Sequence, residues 1–577
     1  MSKVGISATL AGKRHSYKRI QIMKLKDLKS SLEAPEWLTE EGFITLSKGY
    51  LLPGETPKSM YRRVAKAAAS YLPNDQKKWE EDFFNIIWNN WLCLATPVAS
   101  NFGADRGLPI SCFGSYVDDS IYSIFDKNLE VAVLSKHGGG TSSFLGDVRG
   151  RGSMINGGGS SNGTTSWVEV LRTTVNQVSQ NGIRRGQHAT YIPIDHDDFD
   201  EFVDVRKHLD GIHLGVTVSD AFLQKCENGD QEALRRWFKL LKARMETGEP
   251  YILFIDRVNA QNPPMYKANG LSVKASNLCS EIVLHSDADH SFVCCLSSMN
   301  LAKWDEWKDT NSVFVATVFL DCVMEEFIRK ASKIRGIEAA VRFAQKSRAL
   351  GLGVLGYHTY LQHNMIPFDS LQARIFNHTW AKYIKNEAQK ATEWMAIELG
   401  EPEWCEGFGV RNTHLLAIAP TTSNAIISGG VSQGIEPIVA NAYVQKTAKG
   451  TFIRKNPTLE QYLDKLGLNT DNIWEKIIDN NGSVSDIIGI SEEAKEVFKT
   501  AYEINQKEII FQANQRQKYI CQAQSLNLFF DANESPEWIH KIHKEAALMP
   551  NIKSLYYVRS MAGIKAEKAE GCKSCEG

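Results

Sequence analysis

The sequence predicts an α/β fold whose parallel sheet closes into a barrel, behind a small helical N-terminal region. Two observations carry this. Short apolar runs such as Tyr251-Ile252-Leu253-Phe254-Ile255-Asp256 have the composition of strands buried on both faces. They alternate along the chain with long stretches of helical period, an order that puts helices outside a parallel sheet. Periodicity leaves the number of strands open.

Residues 1–56 are mixed and polar, with Pro35 and a Pro53-Gly54 turn signal. Met60, Val64, Ala67, Ala68 and Tyr71 then fall on one helical stripe. After Pro73, Asn74 or Asp75 caps a second helix carrying Phe83, Ile86, Ile87 and Trp91. These complete a mainly helical region over 1–92, and the barrel is expected over 93–565. Within it, 108–113 and 130–134 read as strands, 167–178 as a helix, 179–187 as a polar, basic loop and 190–194 as a strand. The acidic run 195–200 lacks the glycine and distal glutamate of a calcium loop and reads as a solvated helix start. Helices follow over 219–247, 312–331, 336–349 and about 370–399, the last with Trp380, Ile384, Ala388, Ala391 and Trp394 on one stripe and Gly400 as its stop. Strands are expected at 251–256, 292–296, 351–356, 415–419, 524–529 and 554–558, with a helical insertion at about 445–510. Residues 566–577 read as a flexible tail.

Composition excludes several classes. A net charge of −1 gives no reason to expect a nucleic-acid or membrane-surface partner. No apolar run is long enough to span a bilayer, and the polar, basic stretch 1–19 has no apolar core of a secretory signal. Eleven cysteines in such a chain are expected to be reduced thiols in the cytoplasm, so that a Cys pair there is more often catalytic than structural.

The chemistry centres on Asn277-Leu278-Cys279-Ser280-Glu281. An amide and a carboxylate two residues either side of a thiol face one way in an extended or tightly looped segment. The amide can hold a hydroxyl, the carboxylate can take its proton, and the sulfur can react between them. A lone thiol is otherwise most often an inert core residue. Two more cysteines, Cys112 and Cys294, fall in predicted strands, and Cys572-x-x-Cys575 at the end of the chain has the spacing of a dithiol that cycles to a disulfide. Zinc would need two further ligands that the tail lacks. The glycine runs at 138–140 and 157–159 have neither Walker nor dinucleotide context, and read as turns or as close approach of backbone to a ligand. Pro420-Thr421-Thr422-Ser423-Asn424 follows a strand, where a helix start turns N–H groups toward an anion or simply caps itself. Tyr556-Tyr557, taken alone, is core packing.

Together and in this order the motifs resemble one family, the catalytic (large) subunit of class I ribonucleotide reductase. The likeness runs from about residue 90 onward. Residues 277–281 look like its finger-loop motif, Cys294-Cys295-Leu296-Ser297-Ser298-Met299-Asn300-Leu301 like the strand bearing one redox cysteine, and Ser111-Cys112 like its partner. Pro420–Asn424 with Gly434-Ile435-Glu436-Pro437 looks like the substrate phosphate loop. The resemblance implies a ten-stranded α/β barrel of two five-stranded halves with Cys279 on a loop at its centre. It implies that Cys279 becomes a thiyl radical and takes the 3′ hydrogen of a ribonucleotide, that Glu281 acts as base and that Asn277 bonds the ribose. Cys112 and Cys294 would supply two electrons, and Cys572 and Cys575 would reduce the resulting disulfide and be recharged by thioredoxin or glutaredoxin. Tyr556 and Tyr557 would relay the radical from a separate, metal-containing small subunit, so that the chain itself holds no metal or cofactor. Thr96, Ser111, Gly140, Leu278, Ser280 and Pro420, Thr421, Thr422, Ser423 and Asn424 would contact substrate. Asp119, Ser120, Arg149, Arg184 and Arg185 would bind dNTP or ATP effectors that set substrate choice, in a homodimer. The short region ahead of the barrel implies a form without the ATP-cone used for on/off control. Cys294 rather than Cys295 is assigned by the Leu-Ser-x-x-Asn-Leu spacing after it, since only one of two adjacent strand residues faces the site. Three rivals are a cobalamin-dependent class II reductase, which needs no inter-subunit tyrosine relay, a non-radical thiol oxidoreductase, and a nucleotide-binding regulator. The last two leave the Asn-x-Cys-x-Glu arrangement without a purpose.

Overall fold

A computed structural model of the chain describes residues 24–178, 186–447 and 450–560. Five strands, β1 (Cys112–Tyr116), β2 (Gly140–Phe144), β3 (His188–Pro193), β4 (His213–Val218) and β5 (Tyr251–Phe254), pair in parallel in that order. A second series begins with β6 (Phe292–Asn300) and β7 (Leu350–Leu355), parallel to each other. It continues through two extended segments, 414–418 and 522–526, joined at the parallel bridges Leu352–Leu416 and Ile418–Gln524. It ends at β8 (Ser554–Leu555), beside which the Tyr556 N–H donates to the Leu526 carbonyl at 2.8 Å. The series run in opposite directions and meet at both edges, β1 against β6 and β5 against β8. Eight named strands and two bridged segments therefore make a closed ring of ten, which removes the exposed sheet edges.

Helices cover the outside. Those used below are α1 (Pro57–Ala69), α2 (Gln76–Trp88), α3 (Ile121–Lys136), α4 (Thr164–Gln177), α5 (Ser312–Ala331), α6 (Leu371–Leu399) and the short α7 (Thr422–Ile427). Thr56, just ahead of Pro57, forms a capping box with Ser59 in the first turn, which fixes where α1 starts. α2 packs on α5 through Phe83 and Phe319, ring centroids 5.5 Å apart. α5 is tied to the start of β7 by Asp321, whose carboxylate takes Arg348 Nε at 2.8 Å and Arg411 Nε at 2.9 Å. The N-terminal layer also braces α7: Asn90 Nδ2 donates to the Ser428 carbonyl at 3.0 Å, and a Cβ on Gly42 would stand 3.0 Å from the Ile427 carbonyl.

Several expected elements differ. Residues 130–134 lie inside α3: the β-branched pair Val131 and Val133 imitates a strand, but Ser120 caps the helix by accepting Ser123 N–H at 3.1 Å, and Ile124, Val131 and Leu134 bury one helical face. The helix expected over 219–247 is two, Asp220–Glu227 and Gln231–Thr247, because Asn228-Gly229-Asp230 turns the chain and Asp230 caps the second by accepting Ala233 N–H at 2.9 Å. Asp198, in the acidic run read as solvated, is buried and accepts N–H bonds from Arg151 and Thr164, both at 2.7 Å. β4 was not expected, since His213 and Gly215 interrupt its apolar run. The insertion opens with an unforeseen hairpin, Ala442–Thr447 against Gly450–Lys455, before helices with a small core of their own around Trp474 and Phe498. The expected strand at 415–419 is present only as bridges, and that at 524–529 is regular only over Leu528–Phe530.

Candidate active site in the barrel interior

Residues 276–282 form a loop inside the ring. The Tyr191 hydroxyl, from β3, donates to the Asn277 carbonyl at 2.9 Å. From the 522–526 segment, Ser525 Oγ donates to the Cys279 carbonyl at 2.6 Å and Ala523 N–H to the Glu281 carbonyl at 2.9 Å. On β2, a Cβ on Gly140 would stand 3.1 Å from Leu278 Cδ2, so that strand presses its backbone on the loop. Contacts with such separate parts of the wall require an interior position. Ser280 adopts φ 66°, a left-handed conformation that costs a non-glycine residue about 1–2 kcal/mol and turns the loop back on itself.

The side chains are held individually. Asn277 Oδ1 accepts the N–H groups of Glu281 and Ile282, both at 3.1 Å, and the Ser276 hydroxyl at 3.3 Å. Its oxygen is thus committed to the loop, and contact with a ligand falls to its NH2 group. Glu281 is 1% exposed, and burial raises its carboxyl to about 7 against hydrogen bonds from its own backbone, Asn277 and Ser525. A carboxylate so placed takes and gives protons near neutral pH.

Cys112 and Cys294 are direct partners across the antiparallel β1–β6 pair. Such partners have Cα atoms roughly 4.5–5.5 Å apart, within the span of a disulfide. Cys112's other register partner is Gly140, which touches Leu278, and Glu281 lies within electrostatic reach of the Cys294 thiol. Cys295 points the other way, its thiol donating to the Leu320 carbonyl of α5 at 3.2 Å. Burial, then Cys295, pushes the Cys294 thiol well above the usual thiol range.

A tyrosine cluster adjoins the loop. Cys279 packs against a buried group that includes Leu278, Tyr191, Tyr251, Tyr556 and Tyr557. The rings of Tyr556 and Tyr557 have centroids 4.3 Å apart, and Tyr251 lies 4.7 Å from Tyr556 and 5.1 Å from Tyr557. The Tyr251 hydroxyl donates to the Tyr557 hydroxyl at 2.9 Å, and His213 Nδ1 lies 3.3 Å from the same oxygen and 2.6 Å from Glu249.

The remaining candidates are spread around this centre. Thr96 begins a short helix, its hydroxyl bonded to Tyr50 at 2.9 Å. The Ser111 carbonyl accepts Gly140 N–H at 2.7 Å. Pro420 and Thr421 lead into α7, with Thr421 left-handed at φ 59° and accepting Gly434 N–H at 2.8 Å, while Thr422, Ser423 and Asn424 form its first turn. Arg149 Nε donates to Asp119 at 2.7 Å, and Ser120 is engaged as the cap of α3. Arg184, Arg185, Cys572 and Cys575 lie outside the described residues.

With this geometry in view, the likeness to known proteins is direct. Family models described as "Ribonucleotide reductase, all-alpha domain" and "Ribonucleotide reductase, barrel domain" match residues 36–107 and then 110–236, 230–408 and 403–558. The chain belongs to the ribonucleotide reductase large-subunit family. A protein of Frog virus 3 (isolate Goorha) is 35% identical over 573 residues, covering 94% of this chain and 99% of that one. The ribonucleoside-diphosphate reductase large subunit of Invertebrate iridescent virus 3 is 29% identical over 628 residues, covering 93% and 98%. Among solved structures, the Actinobacillus ureae class Id ribonucleotide reductase alpha subunit superposes with a TM-score of 0.85 at 43% identity, over 91% of this chain and 98% of that one. The ring of ten and the helical layer ahead of it are that family's fold.

Several residues around the Cys279 loop were not legible in sequence: Tyr191, His213, Tyr251, Ser525, and Gln522, whose Oε1 accepts Val283 N–H at 3.2 Å. Tyr191, Gly215 and Tyr251 form one row across β3, β4 and β5, and a Cβ on Gly215 would stand 2.1 Å from the Tyr191 ring. Gly215 is therefore the space into which Tyr191 fits, a signal that exists only once the register is known. Among the described residues, His285, Asp287 and His290 are grouped closely enough to hold a metal. Asp287 Oδ1 already takes the N–H groups of Asp289 and His290, which makes the group a loop brace. None of the described helices is long and apolar enough to cross a membrane.

Proposed function

We propose that this family member reduces ribonucleoside diphosphates to 2′-deoxyribonucleotides by a thiyl radical on Cys279. The radical takes the 3′ hydrogen atom, Glu281 accepts the 3′-hydroxyl proton, and Asn277 donates from its NH2 group to the ribose. The 2′ hydroxyl leaves as water, Cys112 and Cys294 give two electrons and two protons in becoming a disulfide, Glu281 returns its proton to the 3′ oxygen, and Cys279 returns a hydrogen atom to C3′. The observation that carries the reading is the packing of Cys279 in one buried cluster with Tyr556 and Tyr557, beside a carboxylate raised to about 7. Phenol rings in contact, with centroids 4.3 Å apart, suit a relay of single electrons from a metal-bearing small subunit to the thiol. Thr96, Ser111, Gly140, Leu278, Ser280 and Pro420–Asn424 would line the substrate, with its diphosphate toward α7. Cys572 and Cys575, on a tail over 566–577, would reduce the disulfide and be recharged by thioredoxin or glutaredoxin. Asp119, Ser120, Arg149, Arg184 and Arg185 would take a dNTP effector. The region 1–92, described from residue 24, would brace the barrel of 93–565, in a cytoplasmic enzyme.

The testing experiment assays diphosphate reduction by the purified chain with and without its small subunit, and with and without adenosylcobalamin. Turnover only with the small subunit is expected, and turnover with adenosylcobalamin alone contradicts it. Glu281 adds a pH test. Its folded value of about 7 lies above the ordinary 4.5, so native protein retains a proton that the unfolded chain loses in that window. Activity should rise as pH passes 7, and Glu281→Gln should remove that limb and lower kcat roughly 100- to 10,000-fold. The same substitution should raise the melting temperature above pH 7, where the buried charge costs roughly 3 kcal/mol, and leave it unchanged below pH 4. An unaltered pH profile in the variant assigns the limb to another group.

A homodimer is supported by the face of α3, where Ile121, Tyr122, Phe125 and Leu129 are 53, 81, 52 and 52% exposed. Apolar groups so grouped on one helix suit a matching helix of a second copy. Phe125→Asp should halve the mass in sedimentation, and a variant that stays dimeric sinks this surface.

A further inference from the structure

Gln522 is buried at 0% exposure, and its carboxamide meets three groups. Oε1 accepts Val283 N–H at 3.2 Å, just beyond the Cys279 loop. Nε2 donates to the Leu350 carbonyl of β7 at 2.9 Å and to Cys294 Sγ at 3.3 Å. The orientation is forced, because a flipped amide would set NH2 against Val283 N–H and an oxygen against the Leu350 carbonyl. One N–H is therefore fixed on the Cys294 sulfur. The backbone behind it is anchored too, with Gln522 N–H on the Leu416 carbonyl at 3.1 Å and Gln517 Nε2 on the Gln522 carbonyl at 2.7 Å. On the other side, a Cβ on Gly351 would stand 3.0 Å from Cys294 Sγ, so the sulfur fills space that only glycine leaves.

The two redox cysteines differ in access. Cys294 is 1% exposed, whereas Cys112 is only partly buried. An incoming thiolate needs an open line to the sulfur it attacks.

Resting on the thiol chemistry proposed above, we infer that Gln522 is a positioning residue that makes Cys294 the leaving sulfur, so that the reducing dithiol attacks Cys112. The incoming thiolate forms a bond to Cys112 Sγ as the Cys112–Cys294 bond breaks. The electron pair stays on Cys294 as a thiolate held by the Gln522 N–H, and that thiolate then takes up the proton the attacking thiol lost. The second thiol of the dithiol displaces Cys112 in turn. Hydrogen bonds to charged acceptors are the strong ones, so the donor acts when the charge appears. It opposes the burial that raises the Cys294 thiol and that would otherwise make Cys294 the poorer leaving sulfur.

All enzymes in the test carry Cys572→Ser and Cys575→Ser, so that the tail cannot reduce the new disulfide, and they differ only at Gln522. Each holoenzyme is oxidised by one turnover on a ribonucleoside diphosphate without reductant. The enzyme that keeps Gln522 is treated with the monothiol 2-mercaptoethanol, quenched in acid and mapped by peptide mass. The adduct is expected on Cys112, and an adduct on Cys294 overturns the inference. In parallel, reduction of the oxidised enzyme by dithiothreitol is timed for the enzyme that keeps Gln522 and for Gln522→Leu and Gln522→Glu. Both variants should react at least about tenfold more slowly, with the KM for nucleotide unchanged. Variants that reduce as fast as the enzyme that keeps Gln522 overturn the inference while leaving the radical reading intact. If one turnover leaves no Cys112–Cys294 disulfide, the thiol chemistry assigned to both cysteines falls, and this inference with it.

Discussion

Cys279→Ser is expected to abolish nucleotide reduction while leaving the fold and nucleotide binding in place. The side chain loses one sulfur atom and gains an oxygen of similar shape, and the loop is held by other groups: Asn277 Oδ1 on two N–H groups, Ser525 on the Cys279 carbonyl and Tyr191 on the Asn277 carbonyl. What changes is the S–H bond, far easier to break homolytically than O–H. No neighbour can substitute for it, since Cys112 and Cys294 face each other across β1 and β6 and serve as electron donors in the proposed cycle. A loss of at least about 10,000-fold, more than about 5 kcal/mol of barrier, is the expected size. Unchanged melting and unchanged substrate affinity by calorimetry would assign the loss to chemistry.

Tyr556→Phe carries the second large expected effect. The ring keeps its place in the cluster, 4.3 Å from Tyr557 and 4.7 Å from Tyr251, so packing changes little. Phenylalanine cannot be oxidised at a potential that tyrosine reaches, so the relay breaks at one known step. Turnover with the small subunit should fall at least about 1,000-fold, or roughly 4 kcal/mol, with effector binding retained. Full activity in the variant would mean that electrons reach Cys279 another way. Tyr251 is the group to examine then, because it touches both rings and bonds the Tyr557 hydroxyl.

The parts legible in sequence are those whose chemistry is contiguous. Asn277, Cys279 and Glu281 share one pentapeptide, and Tyr556 and Tyr557 are neighbours, so the pattern survives without knowledge of the fold. One detail does not follow from the pattern: an extended segment would aim all three polar groups outward, but Ser280 turns left-handed and the Asn277 oxygen folds back onto the loop. Gln522 lies 228 residues from Cys294 and Ser525 lies 246 from Cys279, and nothing local marks them. Periodicity hid the strand count at other places: β2, which is Gly140 and three hydroxyl residues before Phe144, and β4, interrupted by His213 and Gly215, carry no apolar period, so ten came only with the resemblance. In α3 the reverse happened: β-branched residues gave a strand signal that burial of Ile124, Val131 and Leu134 on one helical face overrode.

The most direct test of the radical role of Cys279 is competition between protiated and 3′-deuterated ribonucleoside diphosphate, with the small subunit present. The proposed mechanism predicts discrimination against deuterium in kcat/KM for the unsubstituted chain and no deoxynucleotide at all from Cys279→Ser. Deoxynucleotide from Cys279→Ser at a rate near that of the unsubstituted chain would contradict it.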